Sequence, residues 1–424
     1  MIPFSLFAPR SSLLFLALIA LCAACPAQAE TDPATALLGG TTLIDLRLRF
    51  EDVDVKTKTR RAWAATLRAR IGFQTGNYDG FSAVVEGDFI GHLDSGHYND
   101  TLNGRVQFPT IADPDMAALN RLQVNYAAAL TPAAKVSGRN DLGLTAGRQR
   151  IMLGDQRFIG NAGWRQHEQT YDGLAIVDTS IPATTLTYAW IGGVNRVFGP
   201  DSPMGRFDSN SHLLNAAYAG FGPGLQIEAY DYLLDFRQAP LLSTATYGAH
   251  VTSTLSLAPD LTGHVAGAYA RQTPYGPNPL PFDLGYDLAE AGLSYAGLTG
   301  TAGYEVLGGN GRSGFSTPLA SLHLFQGWAE QFVSTPPDGV RDLYGRAQYA
   351  FPLPMISANA AATVAYHSFH ADHTGIAYGT EWDGSLDVLF RNGTMLGAAF
   401  GDFLARGGGF ASKSVFWLYA GYHY

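Results

Sequence analysis

Alternation of apolar and polar positions is the strongest signal in the chain, and it begins at residues 43–51. Ile44, Leu46, Leu48 and Phe50 occupy one parity; Asp45, Arg47, Arg49 and Glu51 occupy the other. A two-residue period belongs to a β-strand with one apolar face. After a charged stretch at 52–61 the rule returns, with Trp63, Ala65, Leu67, Ala69, Ile71 and Phe73 set against Thr66, Arg68, Arg70 and Gln74. Residues 81–89 repeat it, Phe81, Val85 and Phe89 against Ser82, Glu86 and Asp88. A charge turned to lipid at mid-bilayer costs about 2–4 kcal/mol. In a membrane-crossing sheet the charged parity therefore faces a lumen and the apolar parity faces lipid.

The end of the chain is patterned the same way. Phe416, Leu418, Ala420, Tyr422 and Tyr424 alternate with Val415, Trp417, Tyr419, Gly421 and His423. Left as an open edge, such a strand invites aggregation. In a barrel it pairs with the first strand and removes both edges, and its rings suit headgroup depth. Between the two ends the chain reads as strand, short turn, strand, long loop. Short turns are expected at Gly222-Pro223-Gly224, Leu298-Thr299-Gly300, 352–356 and Asn392-Gly393. Long loops are expected at 154–169, 200–211, 274–283, 312–341, 369–378 and 407–414. The expected fold is all-β: a transmembrane antiparallel barrel of 18 strands, or 16 if one strand is split wrongly, with long outer loops and short periplasmic turns. At about 22 residues per strand and connection, the chain accommodates tilted spanning strands of about 9–11 residues.

Composition narrows the class. No segment after the N-terminus reaches the roughly 18 apolar residues of a membrane helix, and the mean hydropathy is only +0.01. Yet there are 49 Gly, 21 Tyr and 24 Phe with 15% charged residues, so the apolar content is concealed by alternation. Arg10, the apolar run 13–22 and Ala27-Gln28-Ala29 read as a signal peptide over residues 1–29, leaving one barrel domain at 30–424. Cys22 and Cys25 both fall in the removed part, so no thiol chemistry is expected. The net charge of −9 gives no reason to expect nucleic acid as a partner. Of the 27 cations, 23 are Arg and 4 are Lys. A GC-rich genome or a functional demand explains that bias equally well, and the placement of the arginines decides.

The densest polar run holds Gly147-Arg148-Gln149-Arg150 and Asp155-Gln156-Arg157-Phe158, continued by Gly163-Trp164-Arg165-Gln166-His167-Glu168-Gln169. A second run holds Thr317-Pro318-Leu319-Ala320, Gly327-Trp328-Ala329 and Asp342-Leu343-Tyr344. At these motifs, and at Tyr378-Gly379-Thr380-Glu381-Trp382-Asp383, the sequence resembles the alginate export family of outer-membrane channels. The resemblance implies an 18-stranded barrel in the bacterial outer membrane, with an arginine-rich constriction that passes an anionic polysaccharide. Membrane lipid and an anionic carbohydrate or small solute are the expected partners, with periplasmic export or assembly proteins as further candidates; no cofactor is implied.

Parity independently turns Arg47, Arg49, Arg68, Arg70 and Arg346 to the lumen, where a guanidinium fork can pair bidentately with a carboxylate. Arg148 and Arg150 share parity with Leu142 and Leu144, so they need a register break near Gly147 or a position beyond the lipid. These seven are the candidate substrate-binding residues. Asp45, Glu86, Asp88, Glu381 and Asp383 share the lumen, so each arginine is either part of a selectivity filter or part of an ion-pair ladder that stiffens the wall. A weakly selective general porin is the alternative function. His367, His370, His373 and Asp372 have metal-ligand spacing but lie where a strand enters a loop. Ser368 beside His367 would be the nucleophile and base of a rim-active barrel enzyme, but neighbours on a strand point to opposite faces. No catalytic function is expected.

Overall fold

The computed structural model describes residues 32–94 and 96–424. The expected signal peptide lies outside the described residues. Asp32 caps a short helix, α1 (Pro33–Leu38), by accepting the Thr35 amide at 3.2 Å, with proline in the first turn where its missing N–H costs nothing. Eighteen antiparallel strands follow. They are β1 (Thr41–Val55), β2 (Ala62–Gln74), β3 (Phe81–His92), β4 (Met116–Ala128), β5 (Leu142–Gln149), β6 (Thr170–Asp178), β7 (Thr184–Asn195), β8 (Arg206–Tyr218) and β9 (Leu225–Leu234). Then come β10 (Thr244–Ala258), β11 (Leu261–Pro274), β12 (Leu284–Tyr295), β13 (Leu298–Leu307), β14 (Val340–Leu353), β15 (Ala358–His370), β16 (Ala377–Phe390), β17 (Thr394–Ala405) and β18 (Lys413–His423). Each pairs with its sequence neighbour, and β18 closes on β1 with Leu46 opposite Tyr422 and Phe50 opposite Leu418. Closure leaves no free edge, as the terminal alternation requires.

The apolar parity faces outward on every strand of the first hairpins. Leu48, Leu67, Ile71, Val85 and Phe89 are exposed there, an arrangement that water would penalise and lipid rewards. Aromatic pairs mark the two rims, Phe81–Tyr126 near the turns and Tyr366–Trp382 near the loops. Leu67→Arg is accordingly expected to cost about 2–4 kcal/mol of barrel stability, whereas Gln123→Arg, on the inward parity of β4, is tolerated. Heat-modifiable mobility of the two variants on gels checks this.

The turn expected at Leu298-Thr299-Gly300 is displaced. Leu298 already pairs with Tyr295, and Ala296-Gly297 form a two-residue turn with φ of 48° and 85°. Both central residues at positive φ is the hairpin geometry that matches strand twist. Alanine there gives no warning in the sequence.

Two long outer loops do not stand clear of the barrel but fold into it. Loop A (150–169) and loop B (308–339) meet where the Gly160 amide donates to the Leu319 carbonyl at 2.8 Å and the Ser321 amide donates to the Gln156 carbonyl at 3.1 Å. Their apolar residues make two cores inside the outer half of the barrel. One joins Phe158 of loop A and Phe315 of loop B to Tyr230 and Tyr286; the other joins Phe332 to Phe369 and Phe403.

Candidate functional site

The register of the β1–β2 hairpin sets Arg47 directly opposite Arg68, and Asp45 opposite Arg70. Like charges at a directly opposed position repel, and the two arginines separate. Arg68 turns to Asp45. Arg47 reaches inward to loop A, donating to Gln166 Oε1 at 2.9 Å, to the Gly163 carbonyl at 3.1 Å and to the Arg165 carbonyl. Arg47 is half-buried, and all its hydrogen-bond acceptors are neutral oxygens.

Next to it lies a buried network centred on Glu168 of loop A. Glu168 Oε1 accepts from Arg150 Nε at 2.7 Å and Asn120 Nδ2 at 2.6 Å, and Arg70 Nη1 stands 3.2 Å away. Arg70 also grips Asp88 with two bonds, 2.5 and 2.9 Å, and His167 Nδ1 lies 3.0 Å from the same carboxylate. Arg121 holds Glu86 bidentately at 2.8 and 2.7 Å, and Arg150 Nη2 is 3.1 Å from Glu86. Burial alone would raise the Glu168 pKa, but Arg150 and Arg70 hold it well below the usual carboxylate range.

A third group ties the loops together. Arg49, 1% exposed, pairs with Asp113 and donates to the Trp164 carbonyl at 2.6 Å. Arg165 pairs with Glu330 of loop B and stands 3.4 Å from Glu51. His323 of loop B stacks on Trp164 at 4.2 Å and lies 3.1 Å from Glu330. At the tip of loop A, Arg157 bonds Glu305 at 2.8 Å and lies over the Phe325 ring at 4.6 Å.

Of the seven arginines singled out from the sequence, Arg47, Arg49, Arg68, Arg70 and Arg150 converge on one wall, β1–β5 and the root of loop A. The register runs unbroken through Gly147 on both neighbouring strands, so the expected break does not occur there, and Arg150 turns inward just beyond the end of β5. Arg148 does not join them. It keeps the outward parity, opposite Leu122, and pairs with Asp172 at 2.7 Å beside Arg206. Arg346 sits on a different wall, opposite Thr301 and Ala365. That wall, β9–β16, is lined by Glu228, Glu290, Glu305, Asp342, Glu381 and Asp383, whereas the guanidinium groups of β1–β5 stand among Asp45, Glu86, Asp88 and Glu168.

The histidine cluster does not assemble. His367 points inward to Asp342 at 2.8 Å, His370 is exposed on the other parity, and Asp372 is taken by Arg341. Ser368 lies on the face opposite His367. Asp113, Arg121, Gln166, Glu168 and Glu330 were not singled out from the sequence. Gln166 and Glu168 lie within the polar run that was, but alternation says nothing about which way a loop folds.

No family model matches the chain, and no curated protein matches it. Solved structures do. The chain is similar to Pseudomonas aeruginosa OpdQ at 14% identity and TM-score 0.67, covering 91% of this chain and 98% of that one. It is similar to Acinetobacter baumannii OccAB4 at 14% identity and TM-score 0.68, with coverage of 91% and 98%. Pseudomonas aeruginosa OpdK with vanillate matches at 14% identity and TM-score 0.67, covering 92% and 99%. These neighbours are Occ and Opd channels, not alginate exporters, which corrects the family resemblance to a coarser one. The fold is that of an outer-membrane porin.

Proposed function

We propose that the protein is an outer-membrane channel for small polar solutes and that it favours those bearing a carboxylate. The observation that carries this is Arg47: a half-buried guanidinium on the inward face of β1, against the infolded loop A, hydrogen-bonded to neutral oxygens. Its charge is not cancelled by a direct carboxylate partner, unlike that of Arg49, Arg68, Arg70 and Arg150. In a narrow, partly desolvated passage such a charge is weakly screened. That OpdK has been seen with vanillate supports a small carboxylate as the solute class. The uronate polymer that the alginate resemblance implies carries the same group, but two loops packed into the lumen fit a short solute better than a chain.

The test is the reversal potential in a salt gradient across a planar bilayer. Wild type should prefer anions, and a small monocarboxylate should reduce its conductance. Arg47→Gln should lower anion-over-cation permeability about fivefold, the equivalent of about 1 kcal/mol for one charge at a few ångströms in a watery passage. An unselective wild type would instead establish a general porin.

A further inference from the structure

Loop B is seated on two neighbouring carboxyls of β16. The Ala329 amide donates to Glu381 Oε1 at 2.6 Å and the Trp328 amide donates to Asp383 Oδ1 at 3.2 Å. Both side chains are on the inward parity, two residues apart, and both are fully buried. The two amides belong to successive residues, so the two carboxyls are held side by side. Two ionised carboxylates side by side in a dry site repel, and a single proton between them relieves that repulsion. Among the described residues, Glu381 Oε2 and Asp383 Oδ2 have no hydrogen-bond partner. The loop above is held in unusual backbone: Gln326, Gly327 and Glu330 have φ of 56°, 80° and 52°. A Cβ on Gly327 would lie 2.4 Å from the Glu381 carboxyl carbon, so the loop lies directly on the acid. Left-handed backbone at non-glycine residues persists only where surrounding contacts impose it.

We propose that Glu381 and Asp383 form a proton-binding site, and that the single proton they share latches loop B inside the lumen. With the proton in place the pair carries one negative charge and accepts both loop amides. Without it, two negative charges lie side by side in a dry site, and moving loop B away is the way to let water reach them. The latch therefore opens on alkalinisation, by loss of a proton to solvent with no bond broken in the chain. Other charged groups surround the pair. His367 Nε2 on β15 lies 3.5 Å from Asp383 Oδ2, and Asp342 on β14 binds the far side of that imidazole. Lys413 of β18 and His323 of loop B also contribute to its field. Glu330, the loop residue just beyond Ala329, is occupied by Arg165.

Single-channel recording from mildly acidic to alkaline buffer tests the latch. Wild type should gain conductance and flicker as the pH rises, and Glu381→Gln, whose amide replaces the shared proton, should lose that rise. Infrared spectroscopy of the folded barrel gives a readout that does not depend on conduction. A protonated carboxyl band should persist in wild type at neutral pH and weaken in Glu381→Gln or, should that variant not assemble, in Asp383→Asn. A pH-independent wild-type conductance overturns the latch, and so does a rise retained in full by Glu381→Gln. A band unaltered by either substitution overturns the shared proton. Failure of anion selectivity alone would touch only the solute reading.

Discussion

Glu168→Ala is expected to release loop A from the barrel wall and cost about 3–5 kcal/mol, the usual penalty for deleting one member of a buried ion cluster. The substitution strips Arg70 and Arg150 of a shared carboxylate, and Asn120 and Asn161 of an acceptor. Arg70 keeps Asp88 and Arg150 keeps Glu86, so the barrel itself should still assemble. Glu168→Gln should cost less, because an amide oxygen can replace one acceptor but not the charge. Urea unfolding followed by tryptophan fluorescence reads the difference, Trp164 being in loop A. Equal midpoints for wild type and Glu168→Ala would show that the network does not secure the loop.

Much of the barrel was legible in the sequence because alternation is a local property. Ile44 to Phe50 and Trp63 to Phe73 declare a lipid face residue by residue, and the apolar last strand called for the β1 partner it has. What lay beyond reach was the direction of the loops. Thr66 illustrates the gap. Its inward parity was plain, yet it is 1% exposed, because Gln166 of loop A donates to its hydroxyl at 2.8 Å. An inward position can thus be a buried one. Arg68 and Arg70 illustrate the same point for charge: parity turned them to the lumen, while Asp45 and Asp88 engage them there. Arg47 and Arg68 look equivalent in the sequence, and only the register that sets them face to face explains why one pairs with an acid and the other with neutral oxygens.

Arg165→Met should part the two loops. Arg165 is paired with Glu330 of loop B and lies beside Glu51 of β1, so its loss leaves the buried Glu330 without its arginine, while Glu51 keeps Arg49 at 3.4 Å. The cost is again about 3–5 kcal/mol, and because the contact lies across the lumen it should appear as higher conductance. Acid should mimic the substitution. Burial works to raise the Glu330 pKa, but Arg165 and His323 hold it below the ordinary value. A depressed carboxylate stabilises the folded state at every pH above its unfolded value of about 4.3, and that stability is lost as the pH falls through the folded value. Burial lowers the His323 pKa despite its Glu330 neighbour. The unfolded state then takes up a proton first, so stability begins to fall below about pH 6.5, before Glu330 titrates. In Arg165→Met the Glu330 part of this acid response should shrink to what His323 sustains, while the alkaline response set by Glu381 and Asp383 should remain. Conductance that rises in acid to the same extent in wild type and Arg165→Met would show that the Arg165–Glu330 contact does not hold the loops together.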